Sequence, residues 1–390
     1  MDEYKYLNYN IRIKLFIFFT SIFLISIKRH FIKITQKLIN YSNGKKFIDK
    51  CLNNFRINRF NESYNSPKIS VIIPLYNCEN TIDYPIISIQ NQNMSEYEII
   101  LINDFSYDNT YNIIQTFSQL DKRIKIINNN RNKGTLYSRC IGTLIAKGEY
   151  IFPLDNDDMI FGEDIFYYLY EMIKKAKYDI IGFKAVSVKS YSDKITEIED
   201  QYNYIFPDNL IVLQPELKTW LITIEGKFNP HDITLWAKLI KLKPYIKAIN
   251  LLGQKRYSTY MSWAEDFSMN FIIFNIAESF RFSHKYGIMH LTSPSTASFT
   301  QPINNNFFGE LFLADILFDF TQECEDKNYS ALFLLNSIKN YFNSKSAINK
   351  TNMQFLNKTI SKILKSKYIQ IEKKIELNIY FHAYYKHIIK

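Results

Sequence analysis

Short apolar runs alternate with amphipathic stretches from residue 68 to residue 154. The runs ISVIIPL (69–75), YEIILIN (97–103), RIKIIN (123–128) and EYIFPL (149–154) are brief, rich in β-branched residues and bounded by polar segments. The continuous apolar run ISVIIPL predicts a strand buried on both faces, and the other three runs read as strands. Between them, ENTIDYPIISIQNQ (79–92), SYDNTYNIIQTFSQL (106–120) and KGTLYSRCIGTLIAK (133–147) carry apolar residues at helical spacing. The resulting β-α-β-α-β-α-β order predicts a parallel, Rossmann-like sheet with helices on both faces.

Further on, GEDIFYYLYEMIKKA (162–176) predicts a helix and YDIIGFKAV (178–186) a strand. The pattern then loosens, with LWAKLIKLKPYI (235–246) and EDFSMNFIIFNIA (265–277) as further predicted helices. From residue 304 the chain has a mostly helical rhythm and a basic character, with no repeat of fixed period. NESYNSP (61–67) reads as a linker. The expected organisation is an N-terminal apolar and basic segment with its linker (1–66), an α/β domain (67–303, with halves 67–160 and 161–303), and a helical extension (304–390).

Charge changes this picture at the ends. Residues 1–66 carry +8 and residues 350–390 carry +7, which leaves −5 on the middle of a chain whose total is +10. A nucleic-acid surface would concentrate basic residues on the folded centre, so that class of partner is excluded. Basic ends rich in Phe, Tyr and Ile fit a membrane surface instead. The uncharged run LFIFFTSIFLISI (15–27) is short of the 17 to 25 residues of a spanning helix unless Arg12 and Lys14 snorkel. It reads as a short signal-anchor, a surface-lying or buried helix, or a cleaved signal peptide. The expected location is membrane-associated, single-pass or peripheral, on either side. Four widely spaced cysteines, none in a CxxC pair, exclude a zinc cluster or a dense disulfide framework.

In open α/β sheets, ligands bind beyond the carboxyl ends of the strands. Two of the predicted strands end in acid, the second at Asp104 and the fourth at Asp155, Asp157 and Asp158. Three carboxylates within four residues repel one another unless water or a cation separates them. Carboxylate oxygens at that spacing suit Mg²⁺ or Mn²⁺, which share their remaining positions with phosphates. The bland reading is a solvated turn that caps the following helix. A calcium loop starting at Asp155 is excluded, because Ile160 and Phe166 stand where it needs Gly and Glu. Neither a GxxxxGK[ST] loop nor a GxGxxG after the first strand is present.

The succession ISVIIPLYNCENTI, SIQNQ, YEIILINDFSYDNT, NNNRNKGTLYSRCIG and AKGEYIFPLDNDD resembles the nucleotide-binding half of glycosyltransferase family 2 in order and spacing. LWAKLIK and WAEDFSMNF resemble, more loosely, blocks of its acceptor half, so the likeness covers residues 68–300. The resemblance implies a GT-A fold and an inverting, non-processive transfer of a sugar from a nucleotide donor such as a UDP-sugar to a glycan, lipid or protein. By matching position it implies Asp266 as catalytic base with Glu265 beside it. It implies Asp155 and Asp157 on a Mn²⁺ or Mg²⁺ ion and the donor diphosphate, with Asp158 in support; His290 is a further candidate ligand, since imidazole joins carboxylates on such ions. The expected nucleotide-sugar contacts are Pro74, Tyr76, Asp104, Lys133, Arg139, Asp155 and Asn156. The sequence departs from the family at NDFS, where Asn103 replaces an Asp and Phe105 a Gly. Trp236 and Trp263 are candidates for stacking on a sugar or for core packing. Two rivals stay beside this reading: a sugar nucleotidyltransferase, for which YNCENT lacks the Gly- and Arg-rich loop, and a non-catalytic transferase-like domain that binds sugar nucleotide or glycan at a membrane.

Overall fold

The computed structural model describes residues 66–188, 208–219, 234–261, 263–292 and 303–320, with parts of 331–377. The apolar run Leu15–Ile27 and the linker ahead of residue 66 lie outside the described residues. Among the described residues no helix is long and apolar enough to cross a membrane.

The four predicted strands form as β1 (Ile69–Leu75), β2 (Tyr97–Asn103), β3 (Ile124–Asn128) and β4 (Tyr150–Pro153), all parallel. Their crossovers carry helices α1 (Asp83–Gln90), α2 (Thr110–Leu120) and α3 (Thr135–Ile145). Every residue of β1 and of β2 is buried, as a continuous apolar run requires. Side chains alternate across the sheet, and the core divides accordingly. Val71, Ile73, Ile99 and Leu101 join one hydrophobic cluster, whereas Ile72, Ile100 and Ile102 join the other.

The second half has a different order. It contributes β5 (Met159–Ile160), α4 (Ile165–Ala176), β6 (Ile180–Val188), β7 (Ile211–Leu213), the short α5 (Glu216–Thr219) and β8 (Lys238–Lys241). These are followed by α6 (Leu242–Leu252), α7 (Gln254–Tyr257), α8 (Glu265–Ile276) and β9 (Ser279–Leu291). The sheet runs β3-β2-β1-β4-β8-β6-β9-β5, with β7 also on β9. Strand β8 lies antiparallel to both β4 and β6, and β9 is antiparallel to β5 and β7. The sheet is thus mixed, parallel in the nucleotide half and antiparallel beyond it.

One expected helix is corrected. LWAKLIKLKPYI splits into β8 and the start of α6. Pairing between β4 and β6 overrides its helical spacing, and buried Lys238 satisfies its ammonium on the Thr234 carbonyl at 2.6 Å. The expected C-terminal extension packs on the α/β core. Helix α9 (Ile303–Phe320) places Phe312, Leu313, Ile316 and Leu317 in the same cluster as Phe267 and Phe271 of α8. Helix α10 (Lys350–Lys365) packs behind it through Leu356, Ile360 and Ile363.

Ile102 is fully buried in the cluster that underlies α3. Ile102→Ala should lower unfolding stability by about 2–5 kcal/mol, read as a reduced urea midpoint at unchanged m-value.

Candidate active site

Strands β1 and β2 end in register, Leu75 opposite Asn103, so the residues that follow them leave the sheet on one edge. Strand β4 closes on the same edge, with Leu154 N–H donating to the Ile72 carbonyl at 3.1 Å. Asp104 and the acidic turn 155–158 therefore emerge on the same edge, from the strands that flank β1, as the strand-end rule anticipates.

Asp104 is buried, and the loop between β3 and α3 occupies its carboxylate. One oxygen accepts Asn129 Nδ2–H at 2.7 Å and Lys133 N–H at 2.8 Å, and the other accepts Gly134 N–H at 2.7 Å. The carboxylate so placed shapes the 129–134 loop. Beside it Phe105 sits at φ +65°, the left-handed region in which a side chain costs about 1 kcal/mol or more. That backbone explains why glycine suits this position. The Phe105 ring is 56% exposed, so packing does not offset the cost.

Arg139, on α3, is the centre of the site. It is buried at the floor of the cleft and forms ion pairs with Asp155 from the acidic turn and with Asp266 from the first turn of α8. Glu265 is a third partner, at 3.4 Å. One guanidinium thus joins the end of β4 to a helix start more than a hundred residues later. Burial raises the pKa of Asp155 and of Glu265, and the Arg139 charge opposes that in both. Asp266 also accepts Leu235 N–H at 3.3 Å, which fixes its second oxygen. Reading the sequence assigned Arg139 only a donor contact. The available signal was a lone cation in the apolar stretch TLYSRCIG, where a buried charge demands partners.

The acidic turn splits its work. Asp158 is fully buried and accepts from His290 Nδ1 at 2.9 Å and from Leu291 N–H at 3.1 Å, so it anchors the turn to β9. Burial works against the His290 cation, but the Asp158, Asp155 and Asp157 carboxylates outweigh it and raise the imidazole to about 9. The imidazolium also stacks on the Trp236 indole, with centroids 4.6 Å apart and planes at 17°. Trp236 itself is buried in the core. Asp157 is pushed up to about 8, first by burial and then by Asp158 and Asp155.

With Asp155 turned to Arg139 and Asp158 to His290, no three His, Cys, Asp or Glu side chains converge as a metal-binding group among the described residues. The expected four-residue ligand set is corrected to that extent: His290 and Asp158 satisfy each other at the imidazole Nδ1. The donor chemistry nonetheless fits a hard divalent cation. Burial and the neighbouring carboxylates disfavour the ionised form of Asp157, which a cation would relieve, and Asp158 Oδ2 is buried without a hydrogen-bond partner. Asp155 and Asp157 are the residues suited to hold such an ion.

The remaining expected contacts lie along the same edge. Asn156 Nδ2–H donates to the Pro74 carbonyl at 3.4 Å, which ties the acidic turn to β1. Tyr76 is 44% exposed and meets Tyr107 edge-on at 6.2 Å. The Lys133 ammonium lies 5.2 Å from the centre of the Tyr137 ring, while its backbone serves Asp104.

The chain is similar to known glycosyltransferases. The profile of Glycosyl transferase family 2 matches residues 70–227. The uncharacterized glycosyltransferase EpsJ of Bacillus subtilis is 30% identical over 213 residues, covering 54% of this chain and 57% of that protein. Cholesterol galactosyltransferase of Borreliella burgdorferi is 32% identical over 189 residues, covering 46% and 49%. The chain thus spans about half the length of these curated relatives. The crystal structure of S. aureus TarS 1–349 in complex with UDP-GlcNAc superposes with a TM-score of 0.53 at 16% identity, covering 82% of this chain and 88% of that one, a likeness of fold. Residues 70–227 are thus similar to Glycosyl transferase family 2, on a fold like that of TarS.

Proposed function

We propose that the protein transfers a sugar from a nucleoside diphosphate donor, a UDP-sugar, to a hydroxyl group of a glycan or lipid, with inversion at the anomeric carbon. The observation that carries this reading is the single guanidinium of Arg139 shared by Asp155 and by Glu265–Asp266. It brings the acidic turn suited to a diphosphate and a helix-borne carboxylate suited to a base into one cleft.

The chemistry is a single displacement. The acceptor oxygen forms a bond to the anomeric carbon as the bond from that carbon to the diphosphate oxygen breaks. The acceptor proton passes to Asp266, and the nucleoside diphosphate departs with the bonding electrons. Arg139 and Leu235 N–H hold the Asp266 carboxylate in one orientation for this transfer. A divalent ion held by Asp155 and Asp157 would neutralise the charge that develops on the departing diphosphate. Tyr76, exposed at the end of β1, is placed to flank the nucleobase. The relative named for cholesterol as its acceptor supports a lipid acceptor here. The basic, apolar N-terminal stretch supports work at a membrane surface. Asp155, Asp157 and Asp266 are all present, which disfavours a non-catalytic domain.

Two outcomes test the reading. With Mn²⁺ present, one member of a panel of UDP-, GDP- and CMP-sugars should be slowly hydrolysed, and EDTA should abolish the release of free nucleotide. No nucleotide binding at all would overturn the assignment. Among variants, Asp157→Ala should lose metal-dependent donor binding while remaining folded. Asp266→Asn should bind donor and lose about 10²- to 10⁴-fold in kcat. Full activity in Asp157→Ala would remove the acidic turn from the mechanism.

A further inference from the structure

We propose that helix α9, the first element of the C-terminal extension, is a working part of the active site. Through Gly309 it seats the Trp263–Asp266 segment and so sets where the Asp266 carboxylate lies. The inference rests on the reading of Asp266 as the base, and it adds Gly309 as a positioning residue remote in sequence.

The contact is one of backbone on backbone. A Cβ at Gly309 would lie 2.9 Å from the Trp263 carbonyl carbon, nearer still to its oxygen, and 3.1 Å from Trp263 Cδ1. Real carbon contacts do not come so close, so only glycine lets α9 approach this far. Immediately after Trp263, Ala264 sits at φ +59°, in the left-handed region. A non-glycine residue is held there only where its surroundings over-determine it. Its carbonyl then accepts Ser268 N–H at 3.0 Å and Ser268 Oγ–H at 2.9 Å, which starts α8 and aims Glu265 and Asp266 at Arg139.

A second close contact lies shortly before this segment. A Cβ at Gly134, which has φ +88°, would lie 2.7 Å from Met261 N. Gly134 belongs to the loop organised by Asp104. Helix α9 in turn has a firm footing. Arg256 of α7 pairs with Asp315 at 2.8 Å and with Asp319, and Lys362 of α10 pairs with Asp315 at 2.6 Å. A shift of about 1 Å at a reacting group can cost about 10²-fold in rate, so a helix that fixes this segment to sub-ångström tolerance affects turnover directly.

The test is a double-mutant cycle with Gly309→Ala, Asp266→Asn and both, measured as kcat and donor KM for transfer, with thermal unfolding as the check on folding. Gly309→Ala should lower kcat by about 10- to 100-fold while donor KM stays within about twofold. In the Asp266→Asn background it should cost less than about twofold more, because the group it positions is already gone. Unchanged kcat in Gly309→Ala, or the same loss in both backgrounds, would overturn the proposal in favour of plain packing. Full transfer by Asp266→Asn alone would bring down the base assignment and this proposal with it, whatever Gly309→Ala does. Should Gly309→Ala not fold, Arg256→Met loosens α9 without adding an atom at the contact. The same pattern is then expected at about threefold or more in kcat, and its absence counts against the proposal.

Discussion

A guanidinium taken out of water must be met by carboxylates, because an uncompensated buried charge costs several kcal/mol. Arg139 is such a group, and its partners come from opposite ends of the domain. Asp155 is delivered by the last parallel strand, and Glu265 and Asp266 by a helix start in the antiparallel half. The two halves of the fold meet over this one cation. Its neutralisation requires the β4 turn and the first turn of α8 to stay within contact distance. The helix dipole adds to the arrangement, since acidic residues at the first turn of α8 are favoured there even before Arg139 is counted.

The acidic turn shows the opposite balance. Asp155 and Asp158 each have a cationic partner, and the burden of repulsion falls on Asp157, which is pushed up to about 8. Stability alone would not select a third carboxylate at this position. Asp158 and His290, by contrast, spend their interaction on each other and on the Trp236 ring, and so fasten the turn to β9. Asp158 and His290 thus keep the turn in place, while Asp155 turns to Arg139.

Asp104 shows how little a motif position says about the direction of a side chain. It stands where an acid is expected, yet its oxygens collect backbone N–H groups from the 129–134 loop. That loop is pressed against Met261, so the nucleotide side of the cleft and the entry to α8 share a boundary. Phe105, which follows Asp104, and Ala264, which precedes α8, both hold left-handed backbones.

Much of this was legible in the chain itself. The apolar runs at 69–75, 97–103 and 149–154 specify strands covered on both faces, whereas 123–128, with Arg123 and Lys125, becomes the half-buried edge strand β3. The alternation with helices specifies parallel pairing, and parallel pairing puts Asp104 and Asp155–Asp158 on one edge. The Glu265–Asp266 pair was marked by resemblance rather than by physics. Tertiary structure alone decided the rest. LWAKLIK has a helical rhythm but becomes β8 because two strands offer it hydrogen bonds. Arg139 reaches Glu265 across 126 positions, a distance over which no periodicity operates. Helix α9 reads as an appendage, yet its apolar face completes a core begun by β1 and β2. Local pattern states which residues must leave water. Which partner each one meets is settled only when the whole chain competes for the same interior.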